Sequence, residues 1–190
     1  MREPPFLWIV AGSAGSFTPA RQFVQEMPYR PDVAIVLCLH RMRKPRVPMV
    51  EAFVRMPHWT VVEPQDKDPI ESGKVYLAPA DYHLLIERAG YFSLSVDEPV
   101  HFSRPSIDVL LESVVEARWP RAGAVLLSGA NRDGAWGLYL FHQAGYFTAV
   151  QDPADAEVPT MPRAALELFT PARLCKAQEL VQVCLEALSL

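Results

Sequence analysis

Apolar runs of four to seven residues alternate along this chain with stretches in which apolar residues recur every three or four positions. Runs at 7–10, 33–39 and 124–127 each end at a segment of glycine or polar residues. A short apolar run bounded by turn residues is typical of a buried strand, whereas the wider spacing is typical of a helix with one buried face. The alternating order predicts a layered α/β domain with a mostly parallel sheet.

An antiparallel hairpin is predicted in the middle of the chain, where it interrupts the parallel order. The segments 84–87 and 91–95 flank a short Arg-Ala-Gly turn, of the kind that joins antiparallel strands. Thr18 is predicted to cap the first helix, and Ser106 the helix that follows the hairpin. Further strands are predicted at 60–63, 75–78 and 146–150, and further helices at 49–55, 134–143, 162–168 and 178–188.

The composition is that of one compact domain with a sizeable core. The chain has 190 residues, 50% of them hydrophobic, and a formal net charge of -4. That charge argues against a general nucleic-acid-binding surface. The one basic cluster has no interleaved aromatic residues, and we interpret it as a solvated loop or a docking patch for an acidic partner. It consists of Arg41, Arg43, Lys44 and Arg46.

The sequence indicates neither a leader nor a membrane anchor. Residues 1–5 run directly into the first strand without the long apolar region of a signal peptide, and no apolar stretch reaches the length of a membrane span. Cys38, Cys175 and Cys184 are too few and too scattered for a disulfide framework, and no paired spacing of cysteine or histidine suggests a metal. We therefore expect a cytoplasmic protein without membrane insertion, metal or cofactor.

Three residues of complementary chemistry follow predicted strands. Ser13 lies in the turn after the first strand, His40 ends the second, and Asp133 lies five residues beyond Ser128, which closes the run 124–127. Neighbouring strands of an open parallel sheet have their carboxyl ends at one edge, where ligands bind. Residues of these three types in one crevice can form a hydrolase triad, in which serine is the nucleophile, histidine the base and aspartate the group that orients the imidazole.

Each of these local patterns also has a purely structural interpretation. The glycine turn 12–15 can be a tight turn or a helix N-terminus that binds an anion. His40 can be a hydrogen-bonded residue at a strand end, and Asp133 can be a helix cap. Ala11 stands where a nucleophile elbow has its first glycine. Nucleotide binding is disfavoured, because neither a Gly-x-Gly-x-x-Gly pattern nor a lysine-bearing phosphate loop is present.

Taken together, the segments resemble one family in order, content and spacing. The turn 11–16 reads Ala-Gly-Ser-Ala-Gly-Ser, the second strand ends in Leu-His, and the loop 128–134 reads Ser-Gly-Ala-Asn-Arg-Asp-Gly. The segments 104–108, Arg-Pro-Ser-Ile-Asp, and 161–163, Met-Pro-Arg, agree as well. Over about residues 8–168 the chain resembles the catalytic domain of the chemotaxis protein-glutamate methylesterase family, CheB.

The resemblance implies a three-layer Rossmann-like domain over 1–190, with 169–190 as a closing helical segment. It implies that Ser13, His40 and Asp133 are catalytic. The implied reaction is hydrolysis of glutamyl methyl esters, with related deamidation of glutamines, on a methylated chemoreceptor or an analogous helical signalling protein. Full family members usually carry an amino-terminal receiver domain, and we expect a stand-alone catalytic domain here.

Four positions depart from the family pattern and leave a second function open. Ser16 and Asn131 replace glycines, which predicts strain wherever those glycines adopt a positive φ. Leu39 replaces the glutamine before the histidine, and Arg132 offers the aspartate a competing ion pair. The alternative to a hydrolase is a catalytically silent interaction module that keeps the fold.

Overall fold

The structure is a computed structural model that describes residues 3–40, 49–53, 56 and 58–189. The predicted basic loop, with its cluster at 41–46, lies outside the described residues, as do the last two residues of the helix predicted at 49–55. A 3₁₀ helix at Met49–Phe53 accounts for the described part of that prediction.

The described residues form strands and helices in the alternating order that the sequence predicts. The strands are β1 (Phe6–Gly12), β2 (Val33–Leu39), β3 (Thr60–Val62), β4 (Lys74–Leu77), β5 (His83–Ile86), β6 (Phe92–Ser95), β7 (Ala122–Leu126), β8 (Phe147–Gln151) and β9 (Arg173–Cys175). The helices are α1 (Phe17–Glu26), α2 (Ile107–Ala117), α3 (Ala135–Gln143), α4 (Thr160–Leu166) and α5 (Leu180–Leu188), with a 3₁₀ turn at Ala177–Glu179 before α5.

Seven strands form one parallel sheet in the order β3-β4-β2-β1-β7-β8-β9. β1 lies at the centre, paired in parallel with β2 on one side and β7 on the other. The chain first forms the side of β1 that holds β2, β3 and β4 and then the side that holds β7, β8 and β9. In open α/β sheets, ligands bind at the carboxyl ends of the strands where the chain reverses in this way, which here are β1 and β7. β5 and β6 pair antiparallel in a separate two-stranded sheet. The predicted fold class is therefore confirmed.

Successive side chains of β1 face opposite sides of the sheet and fill two separate cores. Leu7 and Ile9 pack in the core that α2, α3, α4 and the hairpin cover. Trp8 and Val10 pack in the core that α1 and α5 cover. All four side chains are fully buried, as expected for a parallel strand that helices cover on both faces. The molecule thus has three layers. Because both faces of the central strand are apolar, polar side chains of a site have to come from the ends of the strands.

Several local predictions were wrong in detail. α1 begins at Phe17 with Ser16, not Thr18, at the N-cap position, and the Ser16 hydroxyl donates to the Ser13 carbonyl at 2.5 Å instead of capping the helix. α4 begins at Thr160, so Pro162 lies within its first turn, where a missing N–H costs no helical hydrogen bond. β9 was not predicted, because three residues with one exposed side chain give no apolar run.

No helix in the described ranges is both long enough and apolar enough to cross a membrane.

Candidate active site

Three neighbouring strands deliver the predicted site residues to the carboxyl edge of the sheet. Ser13 follows β1, His40 follows β2, and Asp133 lies between β7 and α3. Backbone hydrogen bonds tie these strand ends together: the His40 N–H donates to the Gly12 carbonyl at 3.0 Å, and the Ser13 N–H to the Ser128 carbonyl at 2.8 Å. Residues that are up to 120 positions apart in sequence therefore lie at one edge of the sheet.

His40 and Asp133 form a close hydrogen-bonded pair. The His40 Nε2 atom lies 2.7 Å from Asp133 Oδ2, and the two side chains are 12% and 0% exposed. An ionised carboxylate accepts hydrogen bonds and donates none, so Nε2 carries the proton in this pair. The neutral ring then has its lone pair on Nδ1. Nδ1 is therefore the ring nitrogen that can accept a proton.

The start of α2 holds the Asp133 carboxylate in its charged form. Oδ1 accepts from the Ser106 hydroxyl at 2.8 Å and the Asp108 N–H at 3.0 Å, while Oδ2 accepts from the Ile107 N–H at 2.8 Å. Burial alone would raise the pKa of Asp133, but the hydrogen bonds from His40 and from these N–H groups outweigh it and hold the pKa below the ordinary value. A buried carboxylate at a helix N-terminus is stabilised in this way.

The predicted competition from Arg132 is wrong. The hydrogen bonds of the Asp133 carboxylate go to His40 and to the first turn of α2, and within the described ranges no ion pair joins it to Arg132. The predicted strain is wrong as well, because Ser16 has φ −92° and Asn131 is not among the residues with positive φ. Neither replacement of a glycine therefore forces an unfavourable backbone angle here.

Close approaches and two side-chain hydrogen bonds fix the Ser13 turn. A Cβ added to Gly12 would lie 2.5 Å from the Ser16 Cβ, so only glycine fits at this position. The Ser128 hydroxyl donates to the Ala14 carbonyl at 2.7 Å and accepts from the Val158 N–H at 2.8 Å. The loop 128–134 thus stabilises the turn that carries Ser13. Sequence reasoning missed this role of Ser128.

The same turn presents unpaired backbone donors next to Ser13. In the described part of the chain, the N–H groups of Ala14 and Gly15 have no acceptor, and both precede the N-terminus of α1. The N–H that follows a nucleophilic serine is a common oxyanion donor. The turn therefore offers a place for negative charge beside the serine hydroxyl.

The hydroxyl that contacts Nδ1 of His40 belongs to Ser103. Its Oγ atom lies 3.1 Å from His40 Nδ1. Among the described residues, no hydrogen bond joins the Ser13 hydroxyl to the imidazole. Sequence reasoning missed Ser103; the nearest signal was its position directly before the Arg-Pro-Ser segment at 104–106.

A second buried carboxylate, Asp108, lies behind Asp133. Its Oδ1 accepts from the N–H groups of Gly134 at 2.9 Å and Gly137 at 2.7 Å, which fixes the start of α3. Burial is the main cause that raises the pKa of Asp108 to about 6, and the neighbouring charge of Asp133 adds to it. Its Oδ2 lies 3.5 Å from His101 Nε2. Sequence reasoning placed Asp108 only at the positive end of a helix.

His83 and Arg104 lie beside the site as packing residues. The buried His83 ring donates from Nε2 to the Glu98 carbonyl at 3.1 Å and accepts on Nδ1 from the Ser106 N–H at 3.2 Å. Arg104 Nη1 donates to the Val96 carbonyl at 2.6 Å. Both side chains hold the segment that leads into α2 and thereby position the donors of Asp133.

Comparison with known proteins adds independent evidence. The sequence model of the family described as CheB methylesterase matches residues 8–183. A relative from Leptospira interrogans named "Putative protein-glutamate methylesterase/protein-glutamine glutaminase" is 38% identical over 159 residues, which cover 84% of this chain and 82% of that protein. A relative from Hahella chejuensis, named "Protein-glutamate methylesterase/protein-glutamine glutaminase 1", is 46% identical over 111 residues, which cover 57% of this chain and 31% of that protein.

The fold has a solved counterpart. The crystal structure of the Thermotoga maritima CheB methylesterase catalytic domain superposes with a TM-score of 0.88 at 22% identity and covers 96% of this chain and 98% of that one. This likeness concerns the fold, whereas the match over residues 8–183 and the relative that is 38% identical concern descent. On these findings the chain belongs to the CheB methylesterase family.

Proposed function

We propose that this protein is a serine carboxyl-ester hydrolase that removes methyl groups from glutamyl methyl esters, with Ser13, His40 and Asp133 as its catalytic triad. Deamidation of glutamines is the related reaction. The observation that carries the proposal is the 2.7 Å pair of His40 with the buried Asp133, at the sheet edge where Ser13 follows β1. The pair makes Nδ1 the acceptor nitrogen of His40 and therefore the nitrogen that can act as a base.

In the first half of the reaction, the Ser13 oxygen attacks the ester carbonyl carbon while its proton passes to His40 Nδ1. The carbonyl electron pair moves to oxygen, and the N–H of Ala14 donates to this oxyanion. When the tetrahedral intermediate collapses, the carbon–oxygen bond to the methoxy group breaks. His40 returns the proton to the leaving oxygen, so methanol departs and an acyl-enzyme on Ser13 remains.

In the second half, water takes the place of methanol. His40 Nδ1 accepts a proton from the water as its oxygen attacks the acyl carbon, and the Ser13 oxygen leaves with that proton. The products are a glutamate side chain and the free enzyme. When the substrate is a glutamine, ammonia is the first leaving group and the rest of the cycle is unchanged.

The substrate we propose is a methylated chemoreceptor, or an analogous helical protein of a chemosensory signalling pathway, in the cytoplasm. The names of the relatives support this substrate class, since they specify glutamate methyl esters and glutamine amides in proteins. The buried ionised Asp133 favours a hydrolase over a silent interaction module, because it orients a partly exposed imidazole, which a binding surface does not need.

The test is methanol release from a receptor fragment that carries methylated glutamates. We expect Ser13→Ala to lower the rate by roughly three orders of magnitude or more, because triad members act as a unit. The matched control is Ser72→Ala, which removes an exposed hydroxyl before β4, at the opposite edge of the sheet. Wild-type rates in folded Ser13→Ala would refute the proposed nucleophile, and no release by the folded wild type would favour the silent module.

A further inference from the structure

We propose that Ser103 occupies the base nitrogen of His40 in the substrate-free enzyme and has to release it before Ser13 is activated. The inference rests on the proposed function and adds a control step to the same site. Its basis is the 3.1 Å contact between Ser103 Oγ and His40 Nδ1.

The acceptor nitrogen of His40 can hold one hydroxyl proton at a time. A neutral imidazole has one protonated nitrogen and one acceptor nitrogen with a single lone pair in the ring plane. His40 Nε2 is committed to Asp133, so Nδ1 is the acceptor. The Ser103 hydroxyl therefore donates to Nδ1 and uses the lone pair that has to receive the proton of Ser13. The two hydroxyl groups compete for one site and cannot both donate to it.

The turn that carries Ser103 is fixed in an unusual conformation. Val100 and Ser103 exchange backbone hydrogen bonds of 3.2 and 2.9 Å, and the two residues between them, His101 and Phe102, have φ of +48° and +62°. Two positive φ angles define a type I′ turn, which favours asparagine and glycine. Because neither residue is of these types, contacts from outside have to stabilise the turn.

Those contacts come from the loop and helix that surround Asp133. Asn131 Nδ2 donates to the His101 carbonyl at 3.1 Å, and the His101 ring lies 3.5 Å from Asp108. Asn131 stands where the family pattern has glycine, which has no side chain to make this bond. The asparagine therefore connects the loop 128–134 to the turn that carries Ser103.

Release requires only a rotation of the Ser103 side chain. The His101 carbonyl lies 3.4 Å from the same Ser103 oxygen and is a second acceptor for its proton. When a substrate places the Ser13 hydroxyl against Nδ1, the Ser103 side chain rotates so that its oxygen leaves Nδ1 and its proton goes to this carbonyl. The backbone turn stays fixed, so the step exchanges one hydrogen bond for another.

The test compares Ser103→Ala with Ser103→Thr, which keeps the hydroxyl. The substrate is a small aryl ester, 4-nitrophenyl acetate, and the quantity measured is the rate of the acylation burst. Removal of one neutral hydrogen bond that opposes the reaction is expected to accelerate acylation roughly two- to twelvefold in Ser103→Ala. Ser103→Thr should stay near the wild-type rate. An unchanged or slower burst in Ser103→Ala would overturn the proposal.

The double variant Ser13→Ala/Ser103→Ala separates this inference from the proposed function. Loss of the burst in the double variant attributes the acceleration to Ser13. A burst that persists means that Ser13 is not the nucleophile, and then the proposed function itself fails.

If Ser103→Ala does not fold, a measurement on the wild-type protein can test the proposal instead. A crystal structure of the protein with a methylphosphonyl group on Ser13 should show Ser103 Oγ beyond hydrogen-bond distance of His40 Nδ1. Persistence of the 3.1 Å contact in that adduct would overturn the proposal.

Discussion

Asp133 combines full burial with a negative charge. Its carboxylate is completely buried, yet it stays ionised because His40 and two N–H groups of α2 supply hydrogen bonds. The cost of burying a charge is offset only when such partners are all present. The same partners also fix which nitrogen of His40 carries the proton.

Replacement of Asp133 by asparagine tests this role. An amide NH₂ at the position of Oδ2 faces His40 Nε2 and the Ile107 N–H, both of which are donors. The ring is expected to shift its proton to Nδ1 and lose its base, so methanol release should fall by about four orders of magnitude. Arg132→Ala is the neighbouring control and should leave turnover unchanged. Equal rates in wild type and folded Asp133→Asn would remove Asp133 from the mechanism.

Ser106 has two roles that stability measurements can detect. Its hydroxyl donates to Asp133 at 2.8 Å and accepts from the Val109 N–H at 3.4 Å as the cap of α2. Ser106→Ala removes a helix cap and a hydrogen bond to a charge, so the free energy of unfolding should fall by about 2–4 kcal/mol. Urea unfolding measures this loss. A change below about 0.5 kcal/mol, the range of the exposed Ser72→Ala control, would show that Ser106 does not support the carboxylate.

At the scale of elements, local glycines determine how the strands pass into their loops. Gly15 has φ +81°, and a Cβ there would lie 2.7 Å from both the Glu157 Cβ and the Ser128 Oγ. Gly90 has a similar φ of +89° but nothing within 4 Å. A side chain at Gly90 would meet only the unfavourable backbone angle, whereas one at Gly15 would meet that angle and a steric clash as well.

Alanine at each of these glycines gives a matched pair. Gly90→Ala should cost about 1–2 kcal/mol, the penalty of a left-handed angle for a residue with a Cβ. Gly15→Ala should cost more in urea unfolding and also lower ester hydrolysis, because the clash displaces the turn that carries Ser13. Equal destabilisation of the two variants, with full activity in both, would contradict the described packing of this turn.

Asp108, which joins α2 to α3, should make the free energy of unfolding depend on pH. Its folded pKa of about 6 lies above the ordinary value of about 3.9, so the folded state binds a proton that the unfolded state does not hold between these pH values. The contribution of Asp108 to the free energy of unfolding therefore falls as pH rises from about 4 to 6. Asp133, whose pKa is lowered, acts in the opposite sense and at lower pH.

Asp108→Asn isolates this effect. The amide oxygen can still accept from Gly134 and Gly137, but the side chain no longer titrates. The free energy of unfolding of wild type minus that of the variant should be about 1–2 kcal/mol more favourable at pH 4.5 than at pH 7. Urea unfolding at both pH values measures it. A difference that is the same at both, or larger at pH 7, would contradict the environment described for Asp108.

Most elements could be predicted because their signal is local. The runs of β1, β2 and β7 are apolar throughout, since helices cover both faces of the sheet, and the Ser106 cap stands directly before its helix. β9 and the start of α1 could not be predicted. The first is too short to show a pattern, and at the second the Ser16 hydroxyl bonds the Ser13 turn instead of the helix.

At the scale of the whole molecule, the order of strands in the sheet explains why three distant residues meet. The parallel pairing of β1 with β2 and β7 brings their carboxyl ends to one edge, and that convergence could be argued from the alternating sequence pattern. Contacts between residues of different loops could not be predicted from the sequence. Ser103 on His40 and Asn131 on the His101 carbonyl depend on tertiary placement that no local spacing encodes.

In the proposed reaction, Ser13 is the nucleophile that the pair of His40 and Asp133 activates. The most direct measurement is reaction with a phosphonofluoridate that modifies activated serines, followed by peptide mapping of the adduct by mass spectrometry. One adduct is expected, on Ser13, and none in folded Ser13→Ala. An adduct on Ser103, or continued modification of Ser13→Ala at the wild-type rate, would contradict it.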